Sequence, residues 1–255
     1  MIEKTEAIVL AVRPFSRTSL MVTWLTRDFG RIVTPVRGAN RPKSQFLGQM
    51  DIGYRSELLF YIRNSNGVHN IRETTPLDCR EGLRRNWRDA VAAGYICSLT
   101  AQSVETLLDA QGLYGDLDSA LSALAGGADA VDTVIRYEFA LAGRLGISPD
   151  FSFCRECPAR KRDRCRFAIP DGHLTCPLRE GFSYSSDTVA LEPGLLEALR
   201  RVKGGEPVSA VGKDCALGVR RFMGMFLSHH LDLPLPSRRA AFAWLSLPAQ
   251  SPSGA

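Results

Sequence analysis

The chain has no run of about 18 apolar residues, so no membrane-spanning helix is expected. Histidine is scarce, and the four present, His69, His173, His229 and His230, form no recognisable catalytic set. HExxH is absent, as is any paired-carboxylate cluster of two-metal character, which argues against a nuclease or other metalloenzyme acting on nucleic acid. No GxxxxGK[ST] loop occurs, so no nucleotide requirement is expected. The opening residues, Met1-Ile-Glu-Lys-Thr-Glu6, lack a basic region followed by an apolar one, and no signal peptide is expected. No internal repeat is evident.

At 45% hydrophobic and 23% charged, the composition is that of a globular protein, and 255 residues leave room for two domains. The seven cysteines are uneven: Cys79, Cys97 and Cys215 are scattered, while Cys154, Cys157, Cys165 and Cys176 cluster. An odd count with a CxxC and no export signal favours a reduced, cytoplasmic protein with a metal site over a disulfide framework. The scattered three read as small core residues.

Positive charge is concentrated. Between Arg13 and Lys43 lie Arg13, Arg17, Arg27, Arg31, Arg37, Arg41 and Lys43 against one acid, Asp28, a local +6 in a chain whose net charge is +5. The same segment alternates as a strand does, in Ser19–Thr26 and again in Arg31–Arg37. A basic β surface suits a phosphate backbone, since Arg and Lys neutralise phosphates and release counterions. A merely solvated sheet face is the other reading of the charge alone. Phe15, Trp24 and Phe29 lie among these cations. An alternating aromatic in a small barrel belongs to the core, which suits Trp24. Phe15 and Phe29 sit beside turns and are the better base-stacking candidates.

Residues 1–78 read as all-β, with strands expected over Thr5–Val12, Ser19–Thr26, Arg31–Arg37, Met50–Ile62 and Gly67–Thr75. Five short strands suit an OB-type or an SH3-like barrel, and the pattern does not separate them. The chain turns helical near Asp78, with helices expected over Ala90–Leu108, Asp116–Leu124, Ala128–Leu145, Glu192–Val202 and Ala210–Leu231. Gly146 is the expected C′ residue of the third. The tail from 246 to 255 is expected to be disordered.

The cysteine cluster reads Cys154-Arg-Glu-Cys157, then Cys165 and Cys176. A CxxC knuckle with two further thiolates suits a closed tetrahedral structural zinc site; an iron–sulfur cluster and unligated thiols are the alternatives. A closed four-thiolate site leaves no position for a reacting water. The surrounding segment is itself basic, so the metal would either hold a second DNA-contacting loop or simply shape a solvated surface.

Arg13-Pro-Phe-Ser-Arg-Thr-Ser-Leu-Met-Val-Thr-Trp-Leu-Thr-Arg-Asp-Phe-Gly-Arg31, followed by Arg37-Gly-Ala-Asn-Arg-Pro-Lys-Ser44, resembles the N-terminal signature of the DNA recombination and repair mediator RecO family. Ile135–Asp150 resembles the family's helix before its cysteine motif, and Leu235-Pro-Ser-Arg-Arg239 adds a weaker match near the end. The resemblance implies an α+β multidomain chain: a five-stranded OB-fold barrel over 1–78, then an all-α domain over 79–150 and 186–245. That domain would carry a small Cys-rich zinc-binding insert over 151–185.

The resemblance also implies binding to single- and double-stranded DNA and annealing of complementary strands. It implies help for RecA on DNA coated by single-strand-binding protein, with RecR as partner, and a cytoplasmic, nucleoid-associated location. In the family, barrel cations meet DNA, and the matching positions here are Arg37, Arg41 and Lys43, with Arg31 next. The acidic, hydrophobic-ended tail of single-strand-binding protein docks on the helical domain near the motif holding Arg136. An internal ion pair with Glu138 or a nearby acid is the plainer role for that arginine.

Zinc-binding relatives end in a second CxxC, whereas Cys176 is followed three residues later by Arg179. Cys165 would then complete the site, with His173 as the alternative. A non-enzymatic mediator is the leading function, since annealing makes and breaks no covalent bond. An RNA-binding OB protein would share the basic barrel but would not account for the Ile135–Asp150 motif.

Overall fold

The computed structural model describes residues 1–62, 68–103, 110–154, 165–175, 188–231 and 236–247. The chain divides into two compact units, Met1–Thr133 joined by the segment from Ser237 onward, and Val134–Pro236.

The first unit is built on β1 (Ile2–Pro14), β2 (Leu20–Thr26), β3 (Gly30–Val36), β4 (Arg55–Tyr61) and β5 (Asn70–Asp78). They form one antiparallel sheet in the order β3-β2-β1-β4-β5. Alternation decides its faces: Ile32, Thr34 and Val36 of β3 are buried, while Arg31, Val33 and Pro35 between them are partly exposed. Ala7, Val9, Val22, Trp24, Ile32, Leu58 and Phe60 fill one core. Ile8 and Leu25, paired in register, are buried on the reverse face. Helix α2 (Trp87–Ser103) packs on β1 there, and α3 (Ala110–Ala125) on β2 and β3. Both faces of mid-β1 are therefore covered, which is why Ala7-Ile-Val-Leu10 is apolar without alternation. A single turn, α1 (Gly82–Arg85), precedes α2.

The expected closed barrel is not what the ladder forms. Among the described residues edge strands β3 and β5 have no continuous pairing; one parallel bridge joins Val33 to Val68, just before β5, where the His69 N–H donates to the Val33 carbonyl at 2.8 Å. The backbone groups of Val33 thus point outward from the sheet edge. Pro35 is the next residue in that outward row and has no N–H to offer. A ladder continued past the bridge would lack a donor at Pro35.

The second unit holds most of α4 (Ala130–Arg144), then β6 (Asp150–Cys154), β7 (Cys165–Ala168), β8 (His173–Thr175), β9 (Thr188–Leu191), α5 (Pro193–Lys203), a 3-10 turn (Val208–Val211) and α6 (Lys213–His230). Its four strands form a small sheet in the order β6-β8-β7-β9. Phe167 stands at 5.0 Å from Phe222, 5.4 Å from Phe151 and 6.1 Å from Phe226. This aromatic group binds the sheet to α6. Val134, Ile135 and Leu141 of α4 are buried as its periodicity predicts, and Gly146 adopts a positive φ just past the helix end. Helix α7 (Pro236–Leu245) belongs almost wholly to the first unit, where Phe242 lies 6.4 Å from Tyr95 and Trp244 lies 6.1 Å from Trp87. The tail from 248 to 255 lies outside the described residues.

Candidate nucleic-acid interface

Strand register places the cations. Arg13 of β1 pairs with Met21 of β2, and Met21 pairs with Pro35 of β3, so the three share a face at one end of the sheet. Beyond Arg13 the chain turns tightly: the Phe15 and Ser16 N–H groups donate to the Ser19 carbonyl at 2.9 and 3.2 Å. Arg17 sits at the tip of that turn. The segment after β3 is tied to the same turn, because the Asn40 N–H donates to the Thr18 carbonyl at 3.0 Å and the Gly38 N–H to Ser19 Oγ at 3.2 Å.

The Arg37–Lys43 stretch is not an open loop. Arg41 N–H donates to the Gly38 carbonyl at 3.1 Å and Ser44 N–H to the Arg41 carbonyl at 2.9 Å, and Ala39 is buried beneath. Gly38 has φ +68, and a Cβ there would stand 3.2 Å from the Arg41 Cδ. Glycine both permits the turn and leaves room for the arginine stem. The result is one end of the sheet bearing Arg13, Arg17, Arg37, Arg41 and Lys43, all exposed. None of the five makes an ion pair with an acid among the described residues.

Arg27 and Arg31 are elsewhere. They flank the β2–β3 hairpin, whose closing pair is Thr26 with Gly30, at the opposite end of the strands. The Arg27 guanidinium lies 3.3 Å from Glu6 and 5.8 Å from the Tyr114 ring centre, and Arg31 is partly buried. Glu6 also accepts a hydrogen bond from the Tyr114 hydroxyl at 3.2 Å and lies 3.9 Å from Arg55. Burial first, and the charges of Glu6 and Asp118 next, push the Tyr114 hydroxyl well above its ordinary value. Arg27 is thus part of a network holding the sheet to α3, a role its sequence position did not signal.

The aromatics separate in the same way. Trp24 is fully buried and its Nε1–H donates to Thr34 Oγ1 at 2.9 Å. Phe29, 39% exposed, sets its ring edge-to-face with Phe60 at 5.4 Å. Phe15 is 59% exposed.

Of the four clustered cysteines, Cys157 and Cys176 lie outside the described residues. Cys154 is the last residue of β6 and Cys165 the first of β7. Leu174 of β8 pairs with both Cys154 and Phe167, so β8 lies between the two cysteine-bearing strands and Cys165 is two residues along β7 from the row of Cys154. His173 pairs with Ala168, three residues along β7 from Cys165, and its Nδ1 lies 3.1 Å from the Asp171 carbonyl oxygen. Among the described residues no group of His, Cys, Asp and Glu is arranged to hold a metal. Arg136 is exposed and donates to the Gly205 carbonyl at 3.4 Å. No helix among the described residues is long and apolar enough to cross a membrane.

A small antiparallel sheet with one cationic end, followed by a helical region, defines a two-part class of proteins. Residues 1–80 match the family model described as Recombination protein O N terminal, and residues 84–239 match Recombination protein O C terminal. The chain belongs to the recombination protein O family. It is 25% identical over 256 residues to the DNA repair protein RecO of Pelotomaculum thermopropionicum, covering 98% of this chain and 96% of that one. The DNA repair protein RecO of Rhodopirellula baltica is 32% identical over 183 residues, 67% of this chain and 64% of its own. That of Bacillus cytotoxicus is 24% identical over 176 residues, 69% and 70% respectively.

Proposed function

We propose that the chain is a non-enzymatic DNA repair and recombination mediator. It binds single- and double-stranded DNA, anneals complementary strands and helps load RecA onto DNA coated by single-strand-binding protein, with RecR as partner. In this reading residues 1–78 are an OB-fold DNA-binding domain whose barrel is left open at the β3–β5 seam. The observation that carries it is the gathering of Arg13, Arg17, Arg37, Arg41 and Lys43, without acidic partners among the described residues, at one end of the N-terminal sheet. Such a surface neutralises phosphates, and backbone contacts of this kind need no base sequence. That suits a protein that must act at any gap. The tail of the single-strand-binding protein, acidic and apolar at its end, would dock on the helical part.

A structural zinc held by Cys154, Cys157, Cys165 and Cys176 completes the reading. The donor set is four thiolates, with Cys154 and Cys165 at the ends of two strands of one small sheet, and that chemistry is what supports it. The ion would fasten the short strands of the insert, which are too small to be stable on backbone pairing alone.

The test is annealing of complementary oligonucleotides coated with the cognate single-strand-binding protein. Wild type should anneal them, and folded Arg37→Ala/Arg41→Ala/Lys43→Ala should not. Failure of folded wild type to anneal, with tight binding to RNA instead, would transfer the cationic end to an RNA ligand.

A further inference from the structure

Resting on that reading, we infer that Phe15 is a base-stacking platform, and that through it the cationic end selects unpaired bases over duplex. Three aromatics lie near the cations, and two are already engaged. Trp24 is sealed in the core, and Phe29 is set against Phe60. Phe15 enters none of the ring–ring contacts among the described residues, and at 59% it is the most exposed phenylalanine, tyrosine or tryptophan among them. Water contact over so much apolar ring is unfavourable, and a flat ligand would relieve it.

The backbone that carries the ring is also held in place. Pro14 restricts the backbone before it, and the Phe15 N–H is bonded to the Ser19 carbonyl at 2.9 Å. Ser19 in turn receives the Gly38 N–H through its hydroxyl. The turn carrying Phe15 is thereby fastened to the turns that carry Arg37 and Arg41. Arg13 and Arg17 lie on either side of it in the chain, so an aromatic side chain stands among cations at this end of the sheet. Every base presents a π-face, so stacking is tolerant of sequence, but in a duplex those faces are covered by neighbouring pairs. Cations alone serve both forms of DNA; the ring serves only the single strand.

The experiment measures binding of the full chain to a labelled single strand, to a duplex of equal length and to a strand bearing abasic sites. Phe15→Ala should weaken single-strand binding about tenfold and duplex binding less than about twofold. Phe15→Leu, which keeps apolar bulk, should behave like Phe15→Ala. Phe15→Trp should restore affinity and show indole quenching on the normal strand but not on the abasic one. Equal losses on both DNA forms, or none on the single strand, would overturn the inference while Arg37→Ala/Arg41→Ala/Lys43→Ala still weakened both. Unchanged binding of both forms by that triple variant would instead remove the reading on which the inference rests.

Discussion

The Trp24 indole N–H donates to the Thr34 hydroxyl at 2.9 Å, across two adjacent strands and wholly inside the N-terminal sheet. Trp24→Phe removes that donor, leaves a buried hydroxyl short of a partner and opens space in the core. It should lower unfolding free energy by about 2–4 kcal/mol. Urea denaturation gives the loss, and DNA affinity of the folded variant should stay at the wild-type value because the indole never reaches the surface.

Arg80 is the second point of structural dependence. Its side chain is 1% exposed, and its guanidinium donates to the Gly53 carbonyl and to Asp118 on α3. Arg80→Ala leaves the Gly53 carbonyl without its donor and empties a buried site, while Asp118, 28% exposed, keeps Arg55 at 3.9 Å, so the change should cost about 2–4 kcal/mol. Arg80→Lys should recover less than half of this, because a point charge does not reach two acceptors as the planar fork does. A thermal-melt series of the three proteins decides it; a lysine variant as stable as wild type contradicts the two-acceptor geometry.

Stability should fall in alkali. Burial pushes the Cys97 thiol up to about 12 from an ordinary 9.0, and burial also raises Tyr114. Both groups hold their protons more tightly folded than unfolded. Their contribution is therefore complete below pH 9 and is lost as pH climbs toward 12. Urea midpoints should drop between pH 8 and pH 11 (~3 units of titration range), with a shallower drop in Cys97→Ala. In the same pH range native Cys97 should resist alkylation until the protein unfolds.

Salt dependence distinguishes the two ends of the sheet. If the five gathered cations meet four or five phosphates, log affinity for single strands should fall against log salt with a slope of about −3 to −3.5. Arg37→Ala/Arg41→Ala/Lys43→Ala should flatten that slope by about 2. Arg27→Ala should leave it unchanged and act on stability instead, since its guanidinium is committed to Glu6 and Tyr114. Fluorescence anisotropy over a salt series measures both, and a clear slope change in Arg27→Ala would return that residue to the interface.

Much of the N-terminal sheet was legible because period-two alternation is strong wherever one face is buried. The strand expected over Ser19–Thr26 is observed as Leu20–Thr26, and that over Arg31–Arg37 as Gly30–Val36. The fourth was read too long. Met50–Tyr54 precedes it as a turn, in which the Tyr54 N–H bonds the Asp51 carbonyl at 3.0 Å and Gly53 takes φ +84. The helix expected over Ala210–Leu231 is a 3-10 turn and then α6, broken at Gly212. Strands β6 to β9 run three to five residues each, too few for alternation to register, and so escaped notice. Helix α7 was hidden by its Pro236 start, and by Arg238, which is buried with its guanidinium 4.4 Å from the Phe242 ring centre. For the candidate interface, charge density marked out one segment of the chain. It gave no means of separating Arg27 and Arg31 from the rest, since that division depends on which strand end each residue occupies.

Pro35 has a consequence beyond the β3–β5 seam. An edge strand offers a ready template to a passing strand of another molecule. At the outward row of β3 an incoming strand would find one carbonyl already taken by His69 and, two residues on, a ring where a donor should be. The interruption in the β3–β5 seam would thereby also make this edge a poor template for a neighbouring copy.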